Sequence, residues 1–141
     1  MHRPYSGLIE RLKDAGLRPT RQRLALGRLL FDDPVNSDRH VTAEQLHGEA
    51  LANGIRVSLA TVYNALHQFT AAGLMREVVV EAGRSYFDTN VQDHHHFYFE
   101  TSGRLQDIPA DKLEVGMLPE PPEGFQISRV DVIVRVADPS K

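Results

Sequence analysis

Hydrophobic residues in the first half of the chain recur every three or four positions in several stretches, which predicts helices. The first predicted helix ends at Gly16, and the second runs from Thr20 to the break at Asp32–Pro34. Glycine favours the left-handed conformation that ends a helix, and a threonine side chain can accept a backbone N–H that a helix start leaves unpaired. The apolar positions that indicate these two helices are Leu8, Ile9, Leu12, Leu24, Leu26, Leu29 and Leu30.

Two further predicted helices follow one another closely. Thr42 begins the third helix, and Gln45 three residues later completes the pattern of a capping box. Ser58 begins the fourth helix, which ends at Gly73. The apolar residues of this pair are Leu46, Ala50, Val62, Leu66 and Phe69, which lie at helical spacing.

A hairpin is predicted after the fourth helix. Its strands are Leu74–Val80 and Arg84–Phe87, and Glu81-Ala82-Gly83 forms the turn between them. Helix, turn, helix and hairpin in this order predict a winged helix. In such a domain the second helix of the pair enters the major groove of DNA, and the wing rests on the backbone. We therefore assign residues 1–88 to a winged-helix DNA-binding domain.

The remaining residues, 89–141, predict a second and smaller domain. His94–Phe99 and Arg104–Asp107 are expected to pair as strands, Ala110–Val115 to form a short helix and Phe125–Val136 a further strand. So few elements bury little surface, and a second copy of the chain is the simplest partner. The predicted fold class is α+β, a winged helix-turn-helix domain joined to a small α/β dimerisation domain, and the expected state is a homodimer.

Composition and charge narrow the chemistry. No apolar run approaches the roughly 18 residues of a membrane span, and the first residues lack the apolar core of a signal peptide, so we expect a cytoplasmic protein without a membrane partner. The chain has no cysteine, which excludes disulfides and thiolate metal sites. The net charge of −3 divides into about +5 before residue 29 and about −4 after residue 88. A basic first part favours contact with phosphate.

The face of the fourth helix opposite its apolar residues is suited to DNA. Asparagine can pair with an adenine edge, and threonine and tyrosine can contact phosphate or a thymine methyl group. Arginines at the start of the second helix would provide phosphate contacts and the salt-dependent part of the affinity. An ordinary solvated surface is the alternative. The predicted DNA contacts are Arg18, Arg21, Arg23, Ser58, Thr61, Tyr63 and Asn64.

Four motifs in this chain together resemble those of the ferric uptake regulator family. They are Gly16–Arg23 (GLRPTRQR), His40–Leu46 (HVTAEQL), Ser58–Leu66 (SLATVYNAL) and Glu81–Asp88 (EAGRSYFD), followed by a histidine cluster. Each motif alone is weak, but the ordered set is highly specific. The resemblance implies a dimeric, metal-responsive repressor that binds double-stranded operator DNA and is not an enzyme.

The resemblance also implies a regulatory metal site that links the two domains, with Fe²⁺ or Mn²⁺ as the ion and Zn²⁺ as a substitute in vitro. His94 and His96 share one face of a strand and His95 takes the other, so the first two can bind one ion together. The family usually has glutamate at the positions of the two aspartates. The implied ligands are His40, Asp88, His94, His96 and Asp107.

The histidine triplet is similar to that of one branch of the family, the iron response regulators. His94, His95 and His96 occur without the family's paired cysteines, and Asn64 stands where many members have arginine. In that branch the triplet is a haem-binding site. The resemblance therefore implies haem as a second candidate cofactor, bound by His94, His95 and His96.

Three hypotheses follow. The first is a regulator of iron and haem homeostasis that haem releases from DNA, or weakens on it, through His94–His96. The second is a corepressor-type regulator in which Fe²⁺ or Mn²⁺ promotes DNA binding without haem. The third is a metal-dependent hydrolase or metal-storage protein, because histidines and carboxylates with an open position permit metal-bound water chemistry. Nothing in the sequence resembles a general base beside a nucleophile, so we expect no enzyme.

Overall fold

The computed structural model describes residues 6–31 and 38–139. The chain separates into two compact units after Val91, a few residues beyond the boundary predicted at Asp88, and each unit is described by itself. The break predicted at Asp32–Pro34 lies outside the described residues.

The N-terminal unit contains the helices that the hydrophobic pattern predicts. Their starts follow the predicted caps: Thr42 Oγ1 accepts the N–H of Gln45 at 3.1 Å, and Gln45 Oε1 accepts the N–H of Thr42 at 2.9 Å. Ser58 Oγ accepts the N–H of Thr61 at 3.0 Å. Gly73 has a φ of +83°, the left-handed conformation that lets the chain leave the last helix. The helices are α1 (Ser6–Asp14), α2 (Arg21–Phe31), α3 (Ala43–Ala52) and α4 (Leu59–Ala71).

One apolar core holds these helices together. Leucine side chains from all four helices are fully or almost fully buried, and Phe69 of α4 packs edge-on against Phe31 of α2 at a centroid distance of 5.6 Å. Each large buried side chain contributes roughly 1.5–3 kcal/mol of transfer free energy, so the core fixes α3 and α4 as a helix-turn-helix pair. Its fully buried leucines include Leu12, Leu26, Leu30, Leu46 and Leu66.

A three-stranded antiparallel sheet completes the N-terminal unit. The hairpin of β2 (Arg76–Glu81) and β3 (Arg84–Asp88) forms as predicted, with a register shift between Val79 and Glu81. A strand that the sequence did not predict, β1 (His40–Val41), pairs with the other edge of β3, giving the order β1-β3-β2. The sheet thus places β1 beside the end of β3.

The C-terminal unit is built on a second three-stranded sheet. β4 (His95–Phe99) lies in the middle, antiparallel to β5 (Leu105–Ile108) and parallel to β6 (Ile133–Val136). Tyr98, fully buried, lies on the same face of β4 as the buried His96. The parallel pairing needs a long connection, because a tight turn can join only antiparallel strands.

Two predicted elements of the C-terminal unit are shorter than expected. The helix predicted over Ala110–Val115 is a single 3-10 turn, Ala110–Lys112. The strand predicted over Phe125–Val136 is regular only as β6. Residues 119–122 contain three prolines, which lack the N–H that a helix or a sheet requires, and the irregular chain from 113 to 132 forms the connection to β6.

Within the part of the chain that the structure describes, no helix has both the length and the apolar character needed to cross a membrane.

Candidate metal centre and nucleic-acid interface

His94, His96 and Asp107 bring their ligand atoms together in the C-terminal unit. His96 of β4 stands opposite Asp107 of β5 in the antiparallel register, and His94 immediately precedes β4. Asp107 Oδ1 lies 3.2 Å from His96 Nε2 and 3.4 Å from His94 Nε2. The two imidazole rings are 4.4 Å apart between centroids. The histidine side chains are nearly buried, with exposed fractions of 11% for His94 and 4% for His96.

This arrangement fits a divalent metal ion. Nitrogen and oxygen ligands bound tetrahedrally at their usual bond lengths lie about 3.3 Å from one another, close to both nitrogen–oxygen distances. His94 Nδ1 lies 2.7 Å from the carbonyl oxygen of Gln92, which can only accept a hydrogen bond. His94 Nδ1 therefore donates to this carbonyl, which leaves Nε2, on the side of Asp107, as the nitrogen available to a metal ion. Imidazole and carboxylate together suit Fe²⁺, Mn²⁺ and Zn²⁺.

The N-terminal unit holds the other two predicted ligands side by side. His40 of β1 and Asp88 of β3 are register partners. Asp88 is fully buried, and its Oδ1 accepts the N–H of Asn90 at 2.9 Å. The ring of His40 packs edge-on against Tyr86 at 6.2 Å. Each unit thus contributes part of the predicted set, and each part is assembled by strand pairing.

His95 has a different environment from its two neighbours. The strand alternation turns it to the other face of β4, where its Nδ1 accepts the N–H of Val132 at 3.0 Å. A backbone N–H can only donate, so Nδ1 carries no proton and the neutral ring is protonated on Nε2. The three histidines predicted to bind haem are therefore divided between two faces of the sheet.

The predicted DNA-contacting residues of α4 and its cap lie at the helix start and along its outer side. Ser58 and Asn64 are exposed, whereas Thr61 is half-buried. The Ser58 hydroxyl donates to Thr61 Oγ1 at 2.9 Å, which orients both hydroxyl groups. Because Asn64 is exposed, its side-chain amide is accessible to a base edge.

Tyr63 is anchored to α3. Its ring is half-buried against the core and stacks on the ring of His67 at 6.3 Å, with an angle of 19° between the planes. Its hydroxyl donates to Glu44 Oε1 at 2.8 Å. This hydrogen bond, together with burial and the charge of the carboxylate, raises the pKa of Tyr63 above the usual value for tyrosine. The sequence pattern does not predict the role of Glu44, because its contact with Tyr63 depends on how α3 packs against α4.

The three predicted phosphate-binding arginines are not equivalent. Arg18 and Arg21 are exposed, but Arg23 is half-buried. The Arg23 guanidinium donates to Gln68 Oε1 of α4 from Nε at 3.1 Å and from Nη2 at 2.9 Å, and to the carbonyl oxygen of Arg18 from Nη1 at 2.9 Å. Gln68 is a second residue that the sequence analysis did not single out.

Arg39, which precedes His40, ties the start of β1 to two helices. Its guanidinium forms two bonds to Glu49 of α3, at 2.7 and 3.2 Å, and one to the carbonyl oxygen of Leu29 in α2 at 2.7 Å. Its backbone exchanges hydrogen bonds with Thr89, both at 2.8 Å. Arg39 therefore fixes the backbone next to both His40 and Asp88.

The sequence is similar to curated bacterial regulators. The model of the ferric uptake regulator family matches residues 14–135. The chain is 36% identical over 121 residues to the peroxide operon regulator of Bacillus subtilis (strain 168), covering 85% of this chain and 81% of that protein. It is 38% identical over 104 residues to the ferric uptake regulation protein of Shigella flexneri, and the match covers 73% of this chain and 68% of that protein.

Solved structures have the same fold. The ferric uptake regulator of Vibrio cholerae superposes with a TM-score of 0.70 at 25% identity, covering 92% of this chain and 98% of that one. The ferric uptake regulator of Pseudomonas aeruginosa with manganese superposes with a TM-score of 0.69 at 26% identity, and the match covers 93% of this chain and 97% of that one.

A winged helix with a histidine–carboxylate cluster defines the class of metal-responsive, DNA-binding transcription regulators. The chain belongs to the ferric uptake regulator family. Members of this family are dimeric transcriptional repressors and not enzymes, which rules against the hydrolase hypothesis.

Proposed function

We propose that this protein is a dimeric repressor whose affinity for double-stranded operator DNA is raised by a divalent metal ion, Fe²⁺ or Mn²⁺. The observation that carries the proposal is the convergence of His94 Nε2 and His96 Nε2 on Asp107 Oδ1. The manganese in the Pseudomonas aeruginosa regulator supports the choice of ion.

The proposed ligand set draws on both units of the chain, with His94, His96 and Asp107 from one and His40 and Asp88 from the other. Strand pairing has already gathered the ligands that each unit would contribute to a bound ion. Binding by both sets of residues would restrict the placement of the two DNA-binding units of a dimer. Such restriction promotes operator binding, because two recognition helices must enter half-sites at a fixed separation along the duplex.

The proposed DNA interface is the start and outer side of α4 with the turn before α2. Asn64, exposed on α4, pairs with a base edge in the major groove. Ser58 and Thr61 contact phosphate or a thymine methyl group, and Arg18 and Arg21 contact phosphates. Tyr63 lies at the edge of this interface, held by Glu44.

The proposed homodimer forms through the C-terminal unit. Its irregular segment carries apolar side chains that the chain itself leaves exposed, including Met117 with its side chain wholly in solvent and Phe125 with an exposed fraction of 74%. Clusters of exposed apolar residues commonly mark interfaces. The others in this segment are Val115, Leu118 and Ile127.

Haem sensing through the histidine triplet is the alternative proposal, and the triplet itself is the observation in its favour. Two features favour a small ion. His94 and His96 are nearly buried and face a carboxylate, and His95 uses Nδ1 to accept a backbone hydrogen bond. To bind iron through Nε2, His95 would have to move its proton from Nε2 to Nδ1. A protonated Nδ1 could no longer accept the hydrogen bond from Val132.

Calorimetric titration of the purified protein with Mn²⁺, and separately with haem followed by absorption, tests the choice of cofactor. We expect saturable Mn²⁺ binding that Asp107→Ala abolishes and that His95→Ala retains. Mn²⁺ binding that is unaffected by Asp107→Ala would overturn the proposed centre. A Soret band shifted by stoichiometric haem and lost in His95→Ala would favour the haem proposal instead.

A peroxide response is a further possibility that one relative's name raises, since the Bacillus subtilis protein is a peroxide operon regulator. Adding hydrogen peroxide to the protein–DNA complex formed with Fe²⁺, and to that formed with Mn²⁺, addresses it. If peroxide releases DNA from the Fe²⁺ complex but not from the Mn²⁺ complex, this chain responds to peroxide. If peroxide releases DNA from neither complex, the chain does not respond to peroxide.

A further inference from the structure

Arg23 and Gln68 connect the start of α2 to the last turn of α4, although they are 45 residues apart in the chain. Two guanidinium nitrogens of Arg23, Nε and Nη2, donate to the same oxygen of Gln68, and the third, Nη1, donates to the carbonyl oxygen of Arg18. A guanidinium is planar, and its N–H directions are fixed. Three such bonds therefore define its orientation more closely than a single ionic contact could.

The same residue also holds its own turn. The backbone N–H of Arg23 donates to Thr20 Oγ1 at 3.3 Å, so the first turn of α2 is capped next to the point where the guanidinium is fixed. The turn that carries the exposed Arg18 and Arg21 is thus attached to α4 through one side chain. Gln68 follows Asn64 by four residues, which is about one helical turn further along the same side of α4.

We propose that Arg23 and Gln68 are positioning residues for operator recognition. They hold the phosphate-contacting turn of Arg18 and Arg21 in register with the base-contacting Asn64. The proposal rests on the proposed docking of α4 in the major groove. Phosphates and base edges of B-form DNA are at fixed separations, so the groups that contact them must also be at fixed separations.

A positioning role and a direct phosphate contact give different results in solution. Loss of a phosphate contact lowers affinity for every duplex, and it reduces the slope of log affinity against log salt by about 0.9. Loss of the fixed separation between the Arg18–Arg21 turn and Asn64 lowers affinity for the preferred sequence more than for other sequences. It leaves the salt slope unchanged, because the number of neutralised phosphates is the same.

The test compares two duplexes by fluorescence anisotropy at several KCl concentrations with Mn²⁺ present. One duplex is selected from a random-sequence pool by the wild-type protein, and the other is a scrambled sequence of the same composition. We expect Gln68→Ala and Arg23→Lys each to weaken binding of the selected duplex about tenfold, with little effect on the scrambled one. Arg23→Lys keeps the charge and the aliphatic stem. Thr101→Ala, which changes an exposed polar residue on the turn between β4 and β5, is the control and should bind as the wild type does.

The double variant Arg23→Lys/Gln68→Ala makes the test specific to the pair. If the two residues act through their shared hydrogen bonds, it binds no more weakly than either single variant. Additive losses would overturn the proposal, since they would mean that Gln68 contacts DNA by itself. Equal weakening on both duplexes with Arg23→Ala, together with a salt slope reduced by about 0.9, would overturn it as well and make Arg23 a phosphate contact.

Asn64→Ala separates failure of this proposal from failure of the proposed docking. If Asn64→Ala leaves the preference for the selected duplex intact, the docking of α4 is wrong and the positioning proposal falls with it. If Asn64→Ala removes the preference while the Arg23 and Gln68 variants keep it, only the positioning proposal is overturned.

Discussion

The Nδ1 atom of His95 accepts a hydrogen bond from the backbone N–H of Val132 at 3.0 Å, which ties the side chain of the middle histidine of the triplet to the segment that leads into the last strand. Val132 immediately precedes β6, the strand that pairs in parallel with β4. The bond therefore helps to hold the returning chain against the central strand, while His94 and His96 face Asp107.

Substitutions within the triplet should therefore separate stability from metal binding. His95→Ala leaves the N–H of Val132 without its acceptor, and we expect a loss of about 1 kcal/mol in the free energy of unfolding, or about 3 °C in Tm. Its Mn²⁺ affinity should stay within a few-fold of wild type. His96→Ala should lower Mn²⁺ affinity at least about 100-fold, because it removes a ligand and not merely a supporting contact.

Thermal unfolding and calorimetry on the two variants check this prediction. His95→Ala binding Mn²⁺ as poorly as His96→Ala would contradict the assignment of His95 to a structural role.

Tyr63→Phe tests the contact between α3 and α4. The variant loses the hydrogen bond to Glu44 but keeps the ring, so we expect a loss of about 0.5 kcal/mol at neutral pH. Because the pKa of Tyr63 is raised in the folded protein, this stabilisation is fully present below about pH 10, where the unfolded tyrosine is protonated. It is lost as the pH rises through the higher pKa of the folded state.

Urea unfolding of wild type and Tyr63→Phe between pH 8 and pH 11 measures this difference. The gap between the two proteins should narrow above pH 10. A gap that widens there would mean that the hydroxyl is not held in its protonated form.

Arg39→Lys tests the anchor beside the ligand-bearing strands. Lysine cannot reproduce the paired bonds to Glu49 while also reaching the carbonyl oxygen of Leu29, so we expect a loss of about 1–2 kcal/mol. The ion pair is partly exposed, which keeps the value at the lower end for charged hydrogen bonds. Arg56→Lys, an exposed control on the turn before α4, should change stability by less than about 0.5 kcal/mol. If thermal unfolding shows that the two substitutions lower stability equally, Arg39 does not anchor these strands.

The elements that the sequence predicts well are those determined by neighbouring residues. The capping box of Thr42 and Gln45 spans one helical turn, and the apolar spacing of α4 identifies the face that packs on the core. β1 could not be predicted in this way. A two-residue strand has no pattern of its own and forms only because β3 provides a partner edge.

In the candidate site as well, local sequence predicts some features, whereas contacts between distant residues determine the others. The alternation of β4 places His96 and His95 on opposite faces, as a strand pattern predicts. The roles of Asp88 and Asp107 came only from resemblance to a family, because each is brought to its position by pairing between strands. Contacts over long separations, such as Arg23 with Gln68, depend on helix packing that periodicity does not encode.

The most direct test of the central claim is operator affinity with and without metal, measured by fluorescence anisotropy on the selected duplex for the wild type and His96→Ala. We expect Mn²⁺ to tighten wild-type binding at least about tenfold over chelator-treated protein, a coupling within the usual range for linked sites. His96→Ala should bind the duplex weakly in both conditions. Wild-type binding that is equally tight in chelator and in Mn²⁺, or a His96→Ala variant that responds to Mn²⁺ as the wild type does, would contradict the central claim.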